Sequence, residues 1–142
     1  MVTRLLVLAL VLTILAPSRI AGQEVRVAVI IHPKRHAELS IEEVAQIYLR
    51  RKRFWDDGSA IVPLNLPSGT SLRARFSGRV LYQTEPRLAD YWNRQYFYGI
   101  LPPATLASTE AVRRYVASDP NAIGCVPVSE IDGSVRVVLH LE

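Results

Sequence analysis

Apolar and polar positions fall into blocks whose spacing changes along the chain, and each change of period marks an element. Glu24 to Ile31 (EVRVAVII) is rich in β-branched residues and stops at His32-Pro33, which predicts a first strand, central in its sheet. Leu39-Ser40-Ile41-Glu42-Glu43-Val44 then carries a capping box, with Ser40 at the N-cap and Glu43 three residues on, and Leu39 and Val44 placed as a hydrophobic staple. Ile41, Val44, Ala45, Tyr48 and Leu49 follow at helical spacing on one face. The helix runs into Arg50-Arg51-Lys52-Arg53, cations that complement a helix C-terminus while staying solvated. Phe54 and Trp55 are expected to pack, and Asp56-Asp57-Gly58 predicts a turn.

Ala60 to Leu66 predicts the second strand. After Pro67-Ser68-Gly69-Thr70-Ser71 the period returns to that of a helix, with Leu72, Phe76 and Val80 recurring every four residues. Thr84-Glu85-Pro86 opens a further helix, since proline is tolerated in a first turn, and Leu88, Tyr91, Trp92 and Gln95 form its inner face. Tyr91, Trp92, Tyr96, Phe97 and Tyr98 concentrate the aromatic residues, and at helical spacing they read as core or its rim. Gly99 fits the helix stop and Leu101-Pro102-Pro103 an extended loop. Ser108 caps a last helix with Val112, Tyr115 and Val116 inward; Ala122 to Val128 and Ser134 to Leu141 read as two final strands. The order β-α-β-α-α-α-β-β predicts an α/β layer fold.

The N-terminus stands apart from this pattern. Met1-Val2-Thr3-Arg4 is a short basic start, and Leu5 to Ala16 is apolar throughout except for Thr13. Small residues follow, with cleavage expected after Ser18 or Gly22, so residues 1–22 read as a signal peptide and 23–142 as one exported domain, periplasmic or secreted. An uncleaved anchor is the alternative. Loss of Arg4 and Arg19 brings the formal net charge from +4 to +2, too mild a balance to point to nucleic acid. Cys125, the single cysteine, has no internal disulfide partner and sits in an apolar run, where a thiol behaves as a small apolar side chain. His32, His36 and His140 are scattered, with no metal-ligand spacing. No nucleophile elbow or phosphate-loop lysine occurs, so neither an enzyme nor a cofactor is read here.

The chemistry lies where the second strand gives way to its helix. A helix start leaves N–H groups unpaired and carries partial positive charge, which suits an anion. Gly69 permits close backbone approach, and Ser68, Thr70 and Ser71 supply hydroxyls. Plain capping by Ser68 or Thr70 explains the same residues without a ligand. Arg73 and Arg75 lie near this helix start, where a cation is unfavourable unless something anionic compensates.

Ser68-Gly69-Thr70 entering a helix with Phe76 resembles the anion loop of phosphate-binding receptors of ABC importers, the periplasmic phosphate-binding protein family. Leu39-Ser40 through Ile47-Tyr48-Leu49 with Trp55, Tyr91-Trp92 through Phe97 and Gly99, and Ala122-Ile123-Gly124 resemble the same family in the same order. The resemblance implies one lobe of a type 2 periplasmic-binding-protein-like fold, a central mixed sheet flanked by helices, where full receptors have two lobes. It further implies binding of phosphate or a similar oxyanion at Ser68, Gly69, Thr70 and Ser71 with help from Arg73, and a membrane transporter or sensor protein as partner. The family's arginine and aspartate just before this motif are absent, Leu64, Asn65, Leu66 and Pro67 standing there. A lobe kept as a protein-interaction or sensory module, with the loop vestigial, is the other expectation.

Overall fold

A computed structural model describes residues 25–142. The expected signal peptide over residues 1–22 lies outside the described residues, as does Glu24 of the first expected strand.

Five strands make one mixed sheet in the order β3-β2-β4-β1-β5. β1 (Val27–Ile31) is wholly buried and sits inside the sheet, antiparallel to both β4 (Ala122–Pro127) and β5 (Arg136–Leu141). β2 (Val62–Asn65) runs parallel to β4 and to the two-residue β3 (Ala104–Thr105). The alternation of a strand puts Val27, Val29 and Ile31 on one face and Ile30 on the other. The first face packs against α1 (Ile41–Tyr48), α2 (Ser71–Phe76) with the wider turn Ser77–Leu81 that continues it, and α3 (Glu85–Tyr96), through Val44, Ile47, Tyr48, Phe76, Val80 and Leu88. The second face packs against α4 (Thr109–Ser118) through Val112 and Val116. The result is three layers, helices on both faces of a mixed sheet, as expected.

Local signals account for most element ends. Ser40 and Glu43 form both halves of the capping box, the Glu43 amide bonding Ser40 Oγ at 3.1 Å and the Ser40 amide bonding Glu43 Oε2 at 3.0 Å. The hydrogen bond from the Ser40 amide holds the Glu43 carboxyl below the usual glutamate range. At the other end of α1, Arg50 takes the left-handed conformation (φ 61°) that glycine usually supplies, and Arg51 N–H reaches back to Gln46 O at 2.8 Å. Of the cations past this end Lys52 pairs with Glu43 and Asp56, while Asp57 pairs with Arg35, so Asp56 and Asp57 carry separate partners. α4 presses closely on the sheet: a Cβ on Gly124 would stand 2.3 Å from Val112 Cγ1.

Three expectations need correction. The expected order lacks the short β3, since two residues carry no periodicity, whereas Leu101-Pro102-Pro103 is an extended loop as expected. Phe54 is exposed while its neighbour Trp55 is buried. Tyr96, Phe97, Tyr98 and Tyr115 are exposed rather than in the core.

Candidate functional loop

Because β2, β3 and β4 run the same way, their carboxyl ends share one edge of the sheet, the edge where ligands of α/β folds collect. The segment Pro67–Thr70 leaves β2 there and turns directly into α2. Tyr48 supports it from below. Its ring is buried against Phe76, 4.5 Å between centroids, and its hydroxyl lies 3.0 Å from Leu64 O and 3.3 Å from Ile123 O. Burial pushes that phenol well above its ordinary pKa, so it remains a neutral donor pinning α1 to β2 and β4.

Ser68, Gly69, Thr70 and Ser71 are all exposed and contiguous. Gly69 adopts φ 86°, a left-handed conformation that side chains disfavour, and this reverses the backbone between strand and helix. Thr70 is the N-cap: its hydroxyl accepts from the Arg73 amide at 3.3 Å and donates to Pro67 O at 2.9 Å. Ser68 and Ser71 hydroxyls have no hydrogen-bond partner among the described residues, and neither do the N–H groups of Ser68, Gly69 and Ser71. Uncommitted donors thus flank a committed cap. The capping expectation holds for Thr70, and Ser68 plays no part in it.

Arg73 turns away from the loop's open side. Its guanidinium donates to Leu66 O at 2.9 Å and to Ser77 Oγ at 3.4 Å, and lies 3.6 Å from Glu85 Oε1, with the side chain only 11% exposed. Ser77 Oγ in turn donates to Glu85 Oε1 at 3.2 Å. The anion that compensates this cation near a helix start is therefore Glu85, supplied by α3. Arg73 braces the end of β2, at the root of the loop, against α2 and α3. Sequence periodicity gave no sign of this knot, since Glu85 lies in the next helix.

A cavity of about 580 Å3 opens beside the start of α4, lined by Ser108, Glu110, Arg113, Ser129, Glu130 and Asp132 among others. Its lining carries three acids against one arginine, and residues 68–71 do not belong to it. Arg113 pairs with Asp132, whose carboxyl is held below the usual range first by the Ser134 hydroxyl. Among the described residues no group of three or more His, Cys, Asp or Glu is placed to hold a metal ion. Burial pushes the Cys125 thiol far up, leaving it an inert core group.

No protein-family model and no curated protein matches the chain. Solved structures do match in fold. A Clostridium perfringens protein assigned as a phosphate ABC transporter substrate-binding protein, solved with bound phosphate, superposes with a TM-score of 0.66 at 20% identity, over 79% of this chain and 43% of that one. An ABC-type phosphate transport receptor from Vibrio cholerae gives 0.63 at 14%, over 79% and 44%. PstS from Borrelia burgdorferi gives 0.60 at 13%, over 79% and 46%. The chain spans less than half the length of each. What it shares with them is the fold: one lobe of a type 2 periplasmic-binding-protein-like architecture, as the resemblance of its motifs implied.

Proposed function

We propose that the chain is an exported, non-enzymatic binding module for phosphate or a similar oxyanion, held at Ser68, Gly69, Thr70 and Ser71. The observation that carries this reading is the exposed run of hydroxyl and amide donors, without partners on Ser68 and Ser71, at the carboxyl edge of parallel strands. Its support from outside the chain is a shared fold with receptors described as phosphate-binding, one solved with phosphate present. Arg73 acts on the anion only indirectly, by fixing Leu66 O at the root of the loop. Service in phosphate ABC transport, through a membrane transporter or sensor, belongs to the same proposal.

The loop faces open solvent, so each charge-assisted hydrogen bond competes with hydration and salt. Affinity on the order of micromolar to millimolar follows. Phosphate titrated at constant ionic strength should raise the melting temperature of the chain by mass action. Ser68→Ala should reduce that rise without lowering the starting temperature, since Ser68 holds nothing in place. An unmoved melting temperature at tens of millimolar phosphate would instead favour the interaction module, a reading supported by the exposed aromatic residues after α3.

A further inference from the structure

A second feature of the surface has no role in the anion loop. α3 ends in Tyr96, and the turn beyond it presents Tyr96, Phe97, Tyr98 and Leu101 at 67%, 87%, 78% and 59% exposure. An apolar ring exposed to that degree touches almost nothing else, so this is a projecting tip and not the edge of the core. The projection is built into the fold. Gly99 adopts φ 72°, its amide bonds Tyr96 O at 3.0 Å, and Ile100 N–H bonds Gln95 O at 3.1 Å, a closed helix stop that fixes the aromatic rings outward. Tyr96 and Phe97 stack edge to face at 6.4 Å, presenting their rings as a pair.

Along the same helix runs a basic flank. Arg87, Tyr91 and Arg94 recur at helical spacing, and with Arg51 they line a cavity of about 220 Å3 whose single acid is Asp90. None of Arg51, Arg87 and Arg94 forms an ion pair among the described residues, and Arg51 lies 5.8 Å over the Tyr91 ring. Phe97, the C-cap with helical backbone angles (φ −64°, ψ −20°), stands three residues after Arg94, the spacing of one helix face, so the cationic flank leads to the aromatic tip.

We propose that the tip and this flank form a docking surface for an anionic phospholipid bilayer. Phe97 and Tyr98 enter the boundary between headgroups and acyl chains, where amphipathic rings are favoured, and Arg87 and Arg94 engage lipid phosphates. Charge complementarity argues for this occupant: three guanidinium groups against the single carboxylate of Asp90, none of them ion-paired among the described residues, match phosphate oxygens. Shape argues the same way, because a convex tip gains little contact on a rigid protein face and much in a deformable interface. The proposal stands independently of the anion loop.

The test uses the full chain with Phe97→Cys carrying a polarity-sensitive fluorophore, and Glu130→Cys, after β4, as the control position. Native Cys125 is buried and does not compete for the label. With vesicles of phosphatidylcholine and phosphatidylglycerol in equal parts, emission from position 97 should shift to the blue while position 130 stays unchanged. Pure phosphatidylcholine should give a much smaller shift. Arg87→Gln combined with Arg94→Gln should weaken partitioning roughly 10- to 30-fold. Equal shifts at both positions would assign membrane contact to another part of the chain and overturn the proposal. So would a shift that ignores phosphatidylglycerol. A shift at 97 produced by protein concentration alone would assign the tip to a second copy. One seen only with native membranes, and not with vesicles, would assign it to a membrane protein.

Discussion

The two ends of the β2–β4 pair carry polar side chains of opposite character. At the amino edge Arg35 is fully engaged: it donates to Pro120 O, Asp57, Ser59 Oγ and, at 2.8 Å, Asn121 Oδ1, and it stacks 4.6 Å over Trp55. Trp55 itself donates to Asn121 O at 3.1 Å. At the carboxyl edge, Ser68 and Ser71 sit in the open with donors that no residue uses. Satisfied polar groups hold a fold together, whereas donors left open on a fixed backbone are available to a ligand. The cavity of about 400 Å3 beside Arg35 and Trp55 is therefore a weaker anion candidate than the shallow loop opposite, although Lys34 and His36 also line it.

Truncation at the amino edge should have the largest effect. Trp55→Ala removes a buried indole together with its hydrogen bond and the platform under Arg35, and should cost about 3–5 kcal/mol of stability, read from urea unfolding. Phosphate binding by the remaining folded fraction should stay unchanged. Thr70→Ala sharpens the contrast from the other side. Loss of the N-cap should cost about 1 kcal/mol, and phosphate affinity should fall with it. Ser68→Ala should separate the two effects, leaving urea stability within about 0.5 kcal/mol of wild type while weakening phosphate binding.

Acid should produce the smallest change. The Ser59 hydroxyl, then the Ser59 amide and Arg35, holds the Asp57 carboxyl below its ordinary range. A native pKa lower than the unfolded one adds stability above the unfolded value of about 4, and that increment disappears as pH falls through the native value. Stability should therefore decline slightly on acidification below about pH 4, and Asp57→Asn should flatten that part of the profile. The carboxyl edge has no titrating group among residues 68–71.

The contrast also marks what could be read in the sequence. Features set within three or four residues were legible: the Ser40–Glu43 box, the cap at the start of α2, the stop at Gly99. The loop's position was legible because a change of period from strand to helix locates a helix start. What escaped were contacts between distant segments. Arg35 finds its acceptors at residues 120 and 121, and Arg73 finds Glu85 in another helix. Near a helix start Arg73 suggested a missing anion, yet the chain supplies that anion itself. Tyr96, Phe97 and Tyr98 were misread because helical spacing says which residues share a face, and not where the helix ends relative to its core.

The amide spectrum of the 15N-labelled chain during a phosphate titration at constant ionic strength tests the central claim most directly. The account predicts saturable shifts concentrated at Ser68, Gly69 and Ser71, with the amides around Arg35 and Arg87 unmoved. Shifts centred on either arginine cluster, or none at the loop, would contradict it.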